Sequence, residues 1–491
     1  MAITGSSNFE AGHGSNFSID GNSVDFDATA DGNDVFWFYV KLSGVDGTTP
    51  AITVTYSQSP AGSMTGVRPV YSFDQSSWTD VASNWSDPDL SFTIPEISGH
   101  DDVWIALTVP YTYTDLLSDI STWESSQFVT VQDLGDSQGG RNIYYLKIND
   151  DTSTRRKLQI SITCRAHSGE PEASYELKGM IDWLISADSV AQQLRKLAVF
   201  HIFPMANPDG VYAGRNRAFN SGTDANRDFD ESGPDNNDEE DETYLIHTKI
   251  HALNAADALD FHLDIHSYYA EEPNVWRDSA ELDSNLETAI EAWLTVYDTE
   301  AYYNPAFQQH DNLAQSVNTT WRDGMHDQYS IPTFTTEGKA QGYNGFGYPT
   351  MSDIENGGTD MLKAIVRGLV ERYLPTGWTW GDATAIPEKP ETWDDWEIKE
   401  TGSDAQNDSS HGDLQLESGD EFVSPVVDLL NTDSKKLSIS YNTTNGSGSV
   451  HWRGDSSSFN QEDDEVDGPE WEAYTSGTLK TWRYAQVKVT G

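Results

Sequence analysis

Hydrophobic and polar positions alternate in short bursts over the first hundred residues. The stretches VFWFYVKL (35–42), AITVTYS (51–57), RPVYSF (68–73) and DVWIALTV (102–109) are each about a strand long, and clusters of Gly, Ser, Asp and Pro separate them. This pattern predicts an all-β domain over residues 1–110, most simply a sandwich. From 111 to 375 the rhythm changes. KLQISITC (157–164), LAVFHIFPM (197–205), LDFHLDIH (259–266) and IPTFTTE (331–337) alternate with longer runs whose apolar residues recur at helical spacing: ASYELKGMIDWLI, LETAIEAWLTVY and MLKAIVRGLVERYL. Alternating β and α at this length predicts an α/β domain with a largely parallel sheet, whose ligands sit at the carboxyl ends of strands. Residues 376–410 crowd Pro, Gly, Trp and acids and read as a linker. Residues 411–491 return to short β-like runs such as LSISYN and RYAQVKVT, and predict a C-terminal β-sandwich module.

Charge changes the picture next. The chain holds 80 acidic against 29 basic residues among 491, a net charge of −51 spread along its length. Phosphate backbones need Lys and Arg, so nucleic acid and anionic membranes are poor partners. A spread acidic surface suits very high salt, where the Debye length falls to ~3 Å at 1 M and self-repulsion is screened. A halophilic source is expected. The densest acidic run, 228–243, reads as a solvated loop, with a calcium site or a substrate rim as the functional alternative. Cys164 is the one cysteine, which rules out an intrachain disulfide. The N-terminus shows no basic and apolar signal pattern, and no run approaches 18 apolar residues. The expected setting is cytosolic, or export by some other route, without membrane insertion.

Four segments carry chemistry. In CRAHSGE, a strand delivers His167 to its carboxyl end and Glu170 comes three residues later. In LDFHLDIHSY, Phe261, Leu263 and Ile265 alternate with His262, Asp264 and His266. Same-face neighbours on a strand lie about 6.6 Å apart, so only one of the three polar residues enters a metal's first shell. His266, at the strand end, is best placed, and His262 reads as a buried, hydrogen-bonded histidine. His167, Glu170 and His266 then form the two-imidazole, one-carboxylate set of a catalytic zinc, which keeps its fourth position for water. The third segment, PMANPDGVYAGRNRAFNSGTDANRDF, is rich in turns and carries Arg217 and Arg227. In so acidic a chain they invite an anionic target, gripped by paired guanidinium donors. The fourth, TFTTE, ends a strand on Glu337, where a general base beside a metal-held water belongs.

Together and in this order, these segments resemble the zinc carboxypeptidases of the M14 family. HSGE resembles the His-x-x-Glu motif, LDIHSY the third-ligand segment, GTDANRDF the Asp-x-Asn-Arg motif and TFTTE the strand of the catalytic Glu. PMANPDGVYAGRNR, VPYTYTDL (109–116), NFEAGHG and VFWFYVKL resemble the cytosolic carboxypeptidase branch in particular, over roughly residues 8–375. The resemblance implies an α/β, mixed-sheet peptidase domain flanked by β-sandwich domains. It implies one Zn2+ held by His167, Glu170 and His266, with Glu337 as general base and Arg217 stabilising the oxyanion. Asn226 and Arg227 would bind the terminal carboxylate of a peptide or protein, and Asp224 would hold His167. Position 322, fifteen before Glu337, aligns with the residue that sets side-chain preference; Arg322 there implies acidic C-terminal residues. The family's mobile tyrosine is not found between 315 and 328. Tyr329 is too near Glu337, which leaves Tyr302, Tyr303 and Tyr343 as candidates. The C-terminal part resembles β-sandwich modules of tailed-virus tail proteins, which implies a virion tail setting with other tail proteins as partners. The rival readings are a non-catalytic tail or adhesion protein that keeps the fold, and a same-fold amidohydrolase acting on a non-peptide acyl group.

Overall fold

The computed structural model describes residues 2–372 apart from 32–33, 59, 61–63, 152–156, 231, 269–273, 278–283, 298–319 and 340–348. Beyond 372 it describes only the backbone of short strands. The N-terminal region forms two five-stranded sheets. Strands Ser23–Ala28 and Ala51–Tyr56 pair in parallel, and each alternates buried with more exposed positions. Their inward residues Val24, Phe26, Ile52 and Val54 share one core with Val40, Leu42, Val103 and Ile105 of the other sheet. Burying side chains of this size stabilises by about 1.5–3 kcal/mol each.

One strand is shorter than its hydrophobic pattern predicts. VFWFYVKL reads as a strand from Val35, but the ladder runs only over Tyr39–Ser43. The amides of Phe36 and Trp37 both donate to Oδ1 of Asn216, at 2.8 and 2.7 Å. Successive amides of an extended strand point to opposite sides. Two that converge on one oxygen require the chain to leave the strand.

Residues from 111 on begin with helix Tyr113–Trp123. Thr112 and Asp115 close it with a reciprocal capping box, a signal that lies in the polar residues of TYTD rather than in hydrophobic spacing. A seven-stranded sheet comes next. Its order is Val129–Asp136, Asn142–Ile148, Ala198–Phe203, Leu158–Cys164, Phe261–Tyr268, Thr333–Lys339 and Asn274–Arg277. The four strands from Ala198–Phe203 to Thr333–Lys339 are parallel neighbours, and the outer pairings are antiparallel. The sheet is therefore mixed, with a parallel centre. On one face Ile160, Ile162, Leu263 and Ile265 pack against helices Pro171–Leu184, Ser284–Tyr297 and Met351–Arg372. The other face of the central strands buries polar groups: Gln159, Ser161, Thr163, His201, His262 and Asp264. A smaller core of Phe203, Ile246, Ile250, Trp321 and Met325 lies with helices Asp241–Ala256 and Trp321–Tyr329.

In the acidic loop, Asp230 and Asp235 accept backbone amides of Ser232 and Asn237, and buried Glu239 lies 2.6 Å from His247 Nδ1. Carboxylate oxygens of Asp230, Asp235 and Asp238 also lie within 4.8 Å of one another, so the loop combines turn-forming acids with a group of the kind the calcium alternative requires. Three short strands fall within the stretch read as a linker, and Trp378–Trp380 pairs with Lys435–Ile439. Ser449–Asp455 and Tyr484–Thr490 form the longest pair of the C-terminal part. Among the described residues, no helix is long and apolar enough to cross a membrane.

Candidate active site

Strand Leu158–Cys164 is buried along its whole length, so it is a fixed platform for the turn at its carboxyl end. Arg165 opens that turn with a left-handed backbone, φ 60°. Its buried guanidinium holds the turn by donating to the Ser168 carbonyl at 2.7 Å and to Ser174 Oγ at 2.8 Å. Gly169 is required by space rather than by torsion: a Cβ there would lie 2.7 Å from the Asn216 carbonyl and from the Phe36 ring. Glu170 immediately precedes helix Pro171–Leu184, whose Pro171 sits in the first turn, where proline is tolerated.

This turn brings His167 Nδ1 to 2.9 Å from Glu170 Oε1. From the neighbouring strand, His266 Nδ1 lies 2.9 Å from Glu170 Oε2. All three side chains are buried, and one ligand atom from each lies within 4.8 Å of the others. Both outward nitrogens meet carboxylates: His167 Nε2 is 3.2 Å from Asp224 Oδ1, and His266 Nε2 is 3.0 Å from Asp264 Oδ2. Such partners fix the tautomer that leaves Nδ1 free for a metal. Two imidazole nitrogens and one carboxylate oxygen, converging in a buried site backed by further carboxylates, fit a divalent zinc.

Burial alone would raise the Glu170 carboxyl, but the two imidazoles outweigh it and hold it well below the usual range. Burial works against His266 as well, yet Asp264 and Glu170 raise its pKa well above the ordinary value. Glu337 pairs with His266 in the parallel ladder. Its Oε2 is buried and has no hydrogen-bond partner among the described residues. Burial, helped by Glu170 and Asp264, pushes this carboxyl up to about 8 against the pull of His266 and Arg217. His262 is fully buried with Nδ1 2.8 Å from Ser161 Oγ, and burial lowers it to about 4. It is a neutral, hydrogen-bonded part of the sheet.

Arg217 approaches from the loop after helix Pro208–Ala213. Its Nε donates to Asp224 Oδ2 at 2.6 Å and its Nη1 to Asp34 Oδ2 at 3.2 Å. Asn226 is buried, accepting the Trp321 amide at 3.0 Å while its Nδ2 lies 3.2 Å from His266 Nε2. Arg227 is exposed, and Nη1 donates to the Asn226 carbonyl at 2.6 Å. Arg322 is buried in the first turn of helix Trp321–Tyr329, with Nε on Asp323 Oδ1 at 2.8 Å. Arg217 and Arg322 lie close enough to act on the charge of Arg227. Tyr329 turns its hydroxyl to His251 Nδ1 at 3.3 Å. Tyr302, Tyr303 and Tyr343 lie outside the described residues.

Three residues join this site without a role assigned to them from the sequence. Asp264 shares the polar strand face with His266, so alternation could have assigned it as the partner of that imidazole. Asp31 and Asp34 come from the N-terminal sandwich, more than 180 positions before Arg217. No local pattern announces them.

The family model described as zinc carboxypeptidase matches residues 117–364, about half of the chain. The model of the cytosolic carboxypeptidase N-terminal domain matches residues 6–107. The chain belongs to the zinc carboxypeptidase family. Among curated relatives, cytosolic carboxypeptidase 2 of Homo sapiens is 36% identical over 148 residues, 28% of this chain and 16% of that protein. Cytosolic carboxypeptidase 6 of Mus musculus is 32% identical over 183 residues, 34% of this chain and 32% of that protein. The match thus spans a third or less of these relatives. Two solved structures share the fold. The metallo-carboxypeptidase from Burkholderia cenocepacia has a TM-score of 0.66 at 22% identity, over 76% of this chain and 100% of its own. The metallo-carboxypeptidase from Pseudomonas aeruginosa, in complex with (2-guanidinoethylmercapto)succinic acid, has a TM-score of 0.63 at 20% identity, over 76% of this chain and 99% of its own.

Proposed function

We propose that the protein is a zinc-dependent metallocarboxypeptidase that removes C-terminal residues from peptides or proteins. The observation that carries this reading is Glu337, in register with His266, whose buried Oε2 has no hydrogen-bond partner among the described residues, beside the converging Nδ1 atoms of His167 and His266. A bound zinc ion would supply Lewis acidity and a water of lowered pKa. Glu337 takes the proton of the attacking water as oxygen bonds to the scissile carbonyl carbon. It returns that proton to the amine nitrogen as the C–N bond breaks. The free donors of Arg217 stabilise the oxyanion formed between those steps. Asp224 holds both Arg217 and His167, so one carboxylate orients two participants.

Arg227, with Asn226 beside it, receives the terminal carboxylate, and this makes the enzyme an exopeptidase. Arg322 supports a preference for C-terminal Glu or Asp. Among the described residues Asp323 engages its Nε and Nη2, which leaves Nη1 as the donor for a substrate carboxylate.

The net charge of −51 supports operation in high salt. The likeness of residues 411–491 to tail modules supports a virion tail setting; co-purification with virus particles from a lysate would test that setting.

The test of the activity is release of C-terminal residues from a peptide library in concentrated salt, wild type against Glu337→Gln. A drop of about 1000-fold or more is expected. Equal activity in the two proteins would sink the mechanism.

A further inference from the structure

We propose that Asp34, a residue of the N-terminal sandwich, is a positioning residue for Arg217, and that the sandwich thereby completes the peptidase site. This rests on the carboxypeptidase function proposed for that site.

Five hydrogen bonds run between the sandwich and the neighbouring residues Asn216 and Arg217. Asp34 Oδ2 accepts from Arg217 Nη1 at 3.2 Å, and Asp31 Oδ1 accepts the Arg217 backbone amide at 2.9 Å. Between them, Asn216 is fully buried: Oδ1 takes the Phe36 and Trp37 amides, and Nδ2 donates to the Thr29 carbonyl at 3.1 Å. The backbone of the oxyanion arginine is therefore set by the sandwich. So is the plane of its side chain. The bond from Nε to Asp224 leaves a guanidinium able to turn about that anchor. A second bond from Nη1 to Asp34 stops the rotation and fixes where Nη2 points. Nη2 has no hydrogen-bond partner among the described residues, so it is the donor left for substrate.

Asp34 is buried enough to matter, with 14% of its side chain exposed. A charge-assisted bond in such a place is stronger and more directional than one at the surface. Holding a donor to within a fraction of an ångström is worth far more in the transition state than in substrate binding, because that is where charge develops.

The prediction separates positioning from mere clamping. Asp34→Asn is expected to lower kcat about 10- to 100-fold with KM within about twofold and zinc content unchanged. Asp34→Glu, which keeps the carboxylate, should recover part of that loss. In an Arg217→Ala background, Asp34→Asn should cost nothing further, because the group it positions is gone. A structural clamp would behave differently: Asp34→Asn would lower the melting temperature, leave kcat intact in the folded fraction, and act equally in both backgrounds. Either result overturns the inference. If Asp34→Asn fails to fold, Asp34→Ser gives the same comparison. The Arg217→Ala and Glu337→Gln enzymes report separately on the activity. Loss in both with Asp34→Asn unchanged overturns only the role of Asp34, whereas an inactive wild type overturns the carboxypeptidase reading as well.

Discussion

Asp264 and His266 lie two residues apart on one strand, and Oδ2 of the first is 3.0 Å from Nε2 of the second. Oδ1 of the same carboxylate accepts from Thr163 Oγ1 at 2.8 Å. The imidazole is therefore aimed by a carboxylate that is itself held in place. Asp264→Asn keeps the shape and removes the charge. Zinc affinity is expected to fall about 10- to 100-fold, with circular dichroism unchanged. Competition with a chromogenic chelator measures this, and an unaltered affinity would count against the role given to Asp264.

Zinc uptake should release protons. In the metal-free protein Glu337 is raised to about 8 and His266 is raised well above its usual value, so both carry protons near neutrality. A dication lowers both. Calorimetry in buffers of different ionisation enthalpy is expected to show release at neutral pH, and Glu337→Gln should reduce it by up to about one proton. Identical release from both proteins would mean that Glu337 is already ionised.

Arg322 and Asp323 offer a paired test of specificity. Arg322→Gln is expected to reduce the kcat/KM ratio of acidic over apolar C-terminal residues by about 10-fold. Asp323→Asn frees the guanidinium and should raise that ratio. A preference that neither change moves would place the specificity elsewhere.

Glu242 lies outside the site and offers a test of stability against pH. It is fully buried at the start of helix Asp241–Ala256, its two oxygens lack hydrogen-bond partners among the described residues, and burial raises it from 4.5 to about 8. A carboxyl raised on folding helps most below its unfolded pKa, and that contribution is lost as pH rises through the folded one. Glu242→Gln should therefore be near neutral at pH 4.5 and stabilising by up to about 4 kcal/mol at pH 8. Urea melts across that window check the sign, and a constant difference would refute it.

The metal set is legible in the sequence because its signals are local. His167 and Glu170 are three apart at a strand end, and period-two alternation puts His266 on the polar face. The parallel centre of the sheet is readable from buried apolar runs separated by helices. Helix Trp321–Tyr329 is harder to read, since Arg322, Asp323 and His326 are buried on a short, mostly polar element. The true start of the strand at Tyr39 depends on Asn216, a partner that hydrophobic periodicity does not encode.

That partner has a consequence for how the chain is made. Asn216 leaves the ribosome 180 residues after Phe36, whose amide it satisfies. At ordinary synthesis rates the delay is about 10–40 s. The sandwich, whose last strand ends at Ala106, has time to fold first. The segment around Asn216 then docks on it, and the Phe36 and Trp37 amides gain their acceptor only when that late segment arrives.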